Sequence, residues 1–155
     1  MRLSEYTDYT LRVLMHCAAH PGQRVTIGTL AETYQVSKNH LMKIVNDLAH
    51  QGLVATTRGR GGGLRLLRDA ASIRIGDVVR ACETDFRLVE CFDGSTNACT
   101  LTPQCRLKRV FDEALRAWFA ALDGATLADI AKPARTRPAP AVARPMLPPR
   151  SRRSA

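Results

Sequence analysis

Ser37-Lys38-Asn39-His40-Leu41-Met42-Lys43-Ile44-Val45-Asn46-Asp47-Leu48-Ala49-His50-Gln51-Gly52 has the pattern of a capped amphipathic helix. Leu41, Ile44, Val45 and Leu48 recur at helical spacing and form one apolar stripe. Ser37 can accept a hydrogen bond from a free N–H of the first turn, and Gly52 stops the helix. Lys38, Asn39, His40, Lys43 and Asn46 stand away from the stripe. Just upstream, Thr26 caps a second helix, Ile27 to Tyr34. Helix, short turn, helix is the helix-turn-helix arrangement. Working outward, Ser4 caps an earlier helix over residues 5–19, with Tyr6, Thr10, Val13, Leu14, Cys17 and Ala18 on one side, and Pro21-Gly22 ends it. Downstream, Leu53 to Thr57 and Leu64 to Leu67 flank Arg58-Gly59-Arg60-Gly61-Gly62-Gly63. Strand, glycine-rich turn, strand reads as a β-hairpin, and a hairpin directly after a recognition helix is a wing.

Charge supports that reading. Residues 1–75 hold ten Lys/Arg against five Asp/Glu, residues 76–131 six against nine, and residues 132–155 seven against none. A basic front carrying a helix-turn-helix points to double-stranded DNA. The helix N-terminus with Ser37, and Thr26 before it, suits a phosphate. Asn39 can pair bidentately with adenine, and Lys38 or Lys43 can meet guanine or phosphate. Arg58 and Arg60 on the wing tip fit a minor groove or its phosphates. The candidate DNA contacts are therefore Thr26, Ser37, Lys38, Asn39, His40, Lys43, Arg58 and Arg60. The tail after residue 131, rich in Pro, Ala and Arg, lacks the apolar residues a core needs and reads as disordered, with an extra phosphate-binding arm as the alternative.

Between the two basic regions, Ser72 caps a helix through Cys82, with Ile75, Val78, Val79 and Cys82 as its stripe. Residues 87–105 show no period. A longer helix follows from Arg106 to Asp123, and Thr126 caps a last short one. Leu107, Val110, Phe111, Leu115, Trp118 and Leu122, widened by four alanines, give the long helix a face broad enough for its own domain and a partner helix.

Three cysteines crowd the aperiodic segment as Cys91-x7-Cys99-x5-Cys105. The first apolar stretch is no secretory leader, being preceded by Glu5 and Asp8 and broken by Arg12, and no segment is apolar enough to span a membrane. A cytoplasmic location follows, where thiols stay reduced and clustered cysteines hold metal or react. All four histidines lie within the first fifty residues, away from this loop, so a local Cys3His zinc site is unavailable. Three thiolates with an open fourth position resemble an iron–sulfur site, free or reversibly oxidised thiols being the alternative. Cys17 and Cys82 fall on apolar helix faces and read as core. Neither closely spaced ferredoxin cysteines nor a nucleotide-binding glycine motif is present, which argues against an electron carrier or an enzyme.

Several segments together carry a family likeness: Tyr6-Thr7-Asp8-Tyr9 with Leu11-Arg12; Val36 to Ile44; Arg58 to Leu66; Ile75-Gly76-Asp77-Val78-Val79-Arg80; Leu88-Val89-Glu90-Cys91; and Cys99 to Lys108. Residues 1 to about 131 resemble the nitric-oxide-sensing iron–sulfur repressors of the bacterial winged-helix regulator family that also includes the cluster-biogenesis regulator IscR. The resemblance implies a homodimer that binds operator DNA with its cluster intact and releases it when nitric oxide nitrosylates the cluster. It implies an iron–sulfur cluster on Cys91, Cys99 and Cys105, [4Fe–4S] favoured and [2Fe–2S] the alternative, with Asp8 of the other subunit as fourth ligand and Arg12 coupled to it. On the residues alone, Asp8 is a surface carboxylate paired with Arg12 at i,i+4. An IscR-like site wants histidine where this chain has Lys108, and iron-responsive relatives often carry Asn where it has Asp8. An iron- or redox-responsive regulator using the same cysteines is the rival reading.

The expected fold is mainly α with a small β-hairpin wing: a winged helix-turn-helix over 1–82, a cluster-binding loop over 83–105, a dimerisation helix and short C-terminal helix over 106–131, and the basic tail over 132–155.

Overall fold

The computed structural model describes residues 2–59 and 62–131, apart from the Pro103 side chain. Arg60 of the wing tip and the 132–155 tail, with the expectations placed on them, lie outside the described residues. In chain order the elements are α1 (Glu5–Ala19), α2 (Ile27–Tyr34), α3 (Lys38–His50), β1 (Val54–Thr57), β2 (Gly63–Leu66), α4 (Ile75–Cys82), α5 (Arg106–Asp123) and α6 (Leu127–Ala131). The mainly helical architecture with one antiparallel hairpin is the fold the sequence pattern indicates.

The caps explain the register of the first three helices. Ser4 accepts from the Thr7 N–H, Thr26 from Thr29 and Ser37 from His40, so each helix starts where its cap places it. α2 ends on Gln35 in the left-handed region (φ 55°), which makes the tight turn into α3. α1 is the hub of the fold, packing on α3, α4, α6 and β2. Its Val13 and Leu14 are fully buried with Leu30 of α2, Leu41, Ile44 and Leu48 of α3, Leu64 of β2 and Leu127 of α6. Each such side chain contributes about 1.5–3 kcal/mol by leaving water. Two threonines lie in this apolar face. Thr10 donates to the Tyr6 carbonyl at 2.7 Å, and Thr7 shares a 3.0 Å hydrogen bond with the Ser4 hydroxyl, so neither is left unsatisfied.

The hairpin pairs Val54 with Leu66 through Thr57 with Gly63. A residue before α2 joins it: Val25 and Leu64 exchange both backbone hydrogen bonds, at 3.0 and 2.8 Å. Gly62 and Gly63 are required by close approach. A Cβ on Gly62 would sit 2.3 Å from the Thr57 carbonyl oxygen, and one on Gly63 2.8 Å from that of Val25.

One expected cap is corrected. Ser72 does not start α4: Ala70–Ser72 is a separate 3-10 turn capped by Asp69, whose carboxylate accepts from the Ala71 N–H at 3.0 Å. The Ser72 hydroxyl instead donates to the Asp69 carbonyl. Ile73 and Arg74 stay extended because they bond the chain entering α6: Leu127 N–H to the Ile73 carbonyl at 2.8 Å, and Ile75 N–H to the Ala125 carbonyl at 3.0 Å. α4 therefore begins only at Ile75.

α4 and α5 meet through one ion pair. Arg80 holds Asp123 with two 2.7 Å hydrogen bonds and lies 4.2 Å over the Phe119 ring, while Arg74 donates to the Asp123 carbonyl at 2.9 Å. Phe86 joins Trp118 and Phe119 at centroid distances of 6.2 and 4.8 Å, fixing the chain just before the cysteine segment.

Candidate nucleic-acid interface and cysteine loop

The outward face of α3 presents exposed Lys38, Asn39, Met42, Lys43 and Asn46. Beside it, an open cleft of about 430 Å³ runs between α3 and the hairpin, lined by Met42 and Asn46 on one side and Arg58 and Gly62 on the other. Ser37 and Thr26 are exposed caps at the starts of α3 and α2. Their hydroxyls already accept one N–H each, leaving the other first-turn N–H groups able to meet a phosphate. Thr26, Ser37, Lys38, Asn39, Lys43 and Arg58 are thus all solvent-exposed. Met42 was not among the sequence candidates. It is 42% exposed in the middle of this face, an apolar group suited to a thymine methyl. The signal was its position one turn from Asn39 and Asn46, masked by an apolar residue's resemblance to core.

His40 is placed differently from its neighbours. Its ring lies 6.5 Å from Tyr6 in a stacked arrangement and 5.6 Å from Tyr9 edge-on, so it packs α3 against α1. The same two helices are joined by Tyr6, whose hydroxyl donates to Asp47 at 2.6 Å. Burial and this carboxylate both push the Tyr6 phenol well above its ordinary value, so it stays a donor. The Lys43 ammonium sits 5.9 Å over the Tyr6 ring. At its start, α1 is tied to the end of α4, with the Ser4 N–H and hydroxyl donating to Glu83 at 2.7 and 2.9 Å. Partial burial works against the Glu83 charge, but hydrogen bonds from Thr7 and Ser4 outweigh it and hold the carboxyl below its usual range.

Asp8 lies between Tyr6 and Tyr9 in sequence but points outward. It pairs with Arg12 at 2.8 Å, and both side chains are about half exposed (50% and 47%). The Arg12 guanidinium also covers Tyr9 and Tyr34 at 5.6 and 6.0 Å from their centroids.

The cysteine segment is a loop with two 3-10 turns, Glu90–Phe92 and Thr102–Gln104. Cys91 is in the first turn, Cys99 precedes the second, and Cys105 is the N-cap residue of α5. All three thiols are free and half-buried. Arg87 braces the loop entrance by bonding Asp85, at 2.7 Å, and Asp93. Hydrogen bonds from Ser95 and Thr96, with the Arg87 charge beyond them, keep Asp93 well below the carboxylate range. The Glu90 carboxylate takes the Ala98 N–H at 2.8 Å and the Asn97 side chain the Cys99 N–H at 3.1 Å. As a donor set, three free thiols on one braced loop match the soft ligands an iron–sulfur cluster uses. Among the described residues, no group of three His, Cys, Asp or Glu side chains is gathered tightly enough to hold a single metal ion. Cys17 and Cys82 stand apart from the loop. Burial pushes the Cys17 thiol up to about 12 and raises that of Cys82, as befits a core and a half-buried residue.

A helix-turn-helix with an exposed polar recognition face, a glycine-turned hairpin beside it and a long helix beyond defines a winged-helix transcriptional regulator. The profile of the Rrf2 family, described as an iron-dependent transcriptional regulator, matches residues 3–133, and the chain belongs to that family. Its members are regulators, not enzymes. The chain is 53% identical to the HTH-type transcriptional regulator NsrR of Bacillus subtilis over 133 residues, covering 85% of this chain and 91% of that one. It is 46% identical to the regulator of the same name from Oceanobacillus iheyensis, over 85% and 90% of the two chains. Among solved structures, Staphylococcus aureus CymR in its oxidized form superposes with a TM-score of 0.70 at 26% identity, over 88% of this chain and all (100%) of that one. T. potens IscR gives 0.67 at 26% identity, over 85% and 87%. Among the described residues, no helix is long and apolar enough to cross a membrane.

Proposed function

We propose that this regulator is a cytoplasmic homodimeric repressor whose grip on operator DNA responds to nitric oxide through an iron–sulfur cluster, [4Fe–4S] rather than [2Fe–2S]. The observation that carries the reading is the position of α1. This helix bears Asp8 on its exposed side and is bonded through Tyr6, and packed through Tyr9 and His40, to the recognition helix. A ligand that captured Asp8 would pull on α3 directly.

Cys91, Cys99 and Cys105 hold the cluster, and Asp8 of a second copy completes the set. When bound, the cluster supplies iron held by three thiolates and one weaker oxygen ligand, the chemistry with which nitric oxide reacts. Arg12 offers Asp8 an alternative partner inside its own chain, at 2.8 Å. Whether Asp8 reaches across the dimer or stays with Arg12 sets where α1, and so α3, comes to rest, a population shift driven by one local bond. Lys38, Asn39 and Lys43 read or hold the duplex, Thr26 and Ser37 sit at phosphates, and Arg58 with Arg60 reaches from the wing. His40 acts by holding α3 on α1. The dimer is supported by α5, which has no buried residue within one chain and leaves Leu107 and Val110 59% and 58% exposed. The 83–105 segment is then the sensing loop and 106–131 the dimerisation arm.

The test is Asp8→Ala in oxygen-free conditions. The variant keeps the fold, but its operator affinity no longer changes with nitric oxide; an unchanged response would refute the Asp8 tie. Because the family is described as iron-dependent, iron supply is the second reading. Chelation that releases DNA where nitric oxide does not would select it.

A further inference from the structure

α3 buries Leu41, Ile44, Val45 and Leu48, yet leaves Met42 42% exposed. A single exposed apolar residue is ordinary on a protein surface; the placement of this one is what carries meaning. Asn39, Met42 and Asn46 follow at i, i+3 and i+7 and so share one face of the helix. Met42 lines the cleft between α3 and the hairpin. Deeper in, the cleft is apolar, with Ile27, Val45 and Leu64, and its rim is polar, with Thr26, Thr56 and Arg58. On the hairpin side Gly62 and Gly63 offer no side chain to cover the thioether, and a Cβ at either would meet a backbone carbonyl oxygen within 3 Å. Met42 is thus held open between two amides on the helix that faces outward.

We propose that Met42 is a specificity-determining residue that reads the C5 methyl of a thymine in the major groove of the operator. A thioether donates no hydrogen bond and accepts only weakly, so it can neither hold a phosphate nor pair with the polar atoms of a base edge. Thymine alone among the four bases presents a methyl group in the major groove. The unbranched, polarizable methionine side chain can settle around it. With α3 in the major groove and the hairpin at the neighbouring minor groove, the strand between them passes over the cleft. Its phosphates then meet the polar rim, and base edges on the α3 side meet Met42. Asn39 and Asn46, one turn to either side, supply the hydrogen bonds to neighbouring bases that Met42 cannot. This role rests on α3 facing DNA, as proposed above, and on none of the cysteines.

Exchanging thymine for deoxyuridine removes the methyl group and nothing else. A duplex is selected from a random pool with the full chain prepared without oxygen. Each thymine is then exchanged in turn, and binding is followed by fluorescence anisotropy for wild type and Met42→Ala. In wild type one thymine, or a symmetric pair, should show a loss of about four-fold per methyl, the worth of one buried methyl group. Met42→Ala should bind the thymine and deoxyuridine duplexes alike at that position and respond as wild type does at every other. Alanine is the strongest helix former and the position is exposed, so α3 stays intact, and the unchanged positions are the internal check. A pool that yields no duplex would overturn the DNA reading, and the role of Met42 with it. A selected duplex that tolerates every exchange, or a sensitive position that persists in Met42→Ala, would overturn the role of Met42 alone.

Discussion

Tyr6 joins the helix that carries Asp8 to the helix that faces DNA, and its hydroxyl is the group to remove. Tyr6→Phe keeps the ring against His40 and Lys43 but leaves Asp47 without its 2.6 Å donor. A hydrogen bond to a charged group contributes about 1.5–3 kcal/mol. The variant should lose stability toward the lower end of that range in urea unfolding, since the pair is only part-buried, and bind operator more weakly. A variant as stable as wild type would mean the bond does not fasten α1 to α3. Glu83 gives a pH signature. Its folded carboxyl titrates below its ordinary 4.5, so the stability it contributes is present above that pH and lost as the pH falls through the folded value. Glu83→Gln should therefore flatten the acid limb of the stability profile below about pH 4.5, and an unchanged limb would assign acid loss to other groups. Ser4, Thr26 and Ser37 were legible as caps because each stands next to an apolar period and accepts an N–H of its own first turn. The His40 packing was not, because a histidine off the apolar stripe looks the same in sequence whether it meets a base or a tyrosine.

α4 and α5 cross at Gly76, where a Cβ would lie 1.9 Å from the Asp123 carboxylate that Arg80 grips. Gly76→Ala must push that carboxylate away and loosen the pair. The expected loss is about 1–3 kcal/mol, as for other overpacked contacts, measured by denaturant unfolding. No loss would show that Asp123 can move at no cost. Helices, hairpin and turn chemistry were readable because periodicity and capping act within a few residues. The start of α4 was misread through Ser72, since Ile73 and Arg74 are held extended by residues 125–127, some fifty positions away, which no local pattern reports. The single-residue bridge of Val25 to Leu64 was invisible for the same reason.

For the whole molecule, the exposed apolar face of α5 matters most. Val110→Glu puts a charge on a residue 58% exposed in the single chain, so the subunit should fold as before while sedimentation equilibrium reports monomers and operator affinity collapses. A variant that stays dimeric would move the interface elsewhere. Cysteine spacing marked the loop proposed as the sensor, yet among the described residues the thiols are not gathered into a metal-sized group. In the proposed function a cluster and a second copy complete that site, and neither is written in local sequence. The central claim is that the cysteine loop governs DNA binding through nitric oxide. The most direct measurement is an oxygen-free titration of the cluster-loaded protein with nitric oxide, following absorbance together with fluorescence anisotropy of a labelled duplex selected from a random pool. The account predicts that the iron–sulfur absorbance bleaches and the duplex is released in step. A colourless protein, or one that holds the duplex equally with and without nitric oxide, would contradict it.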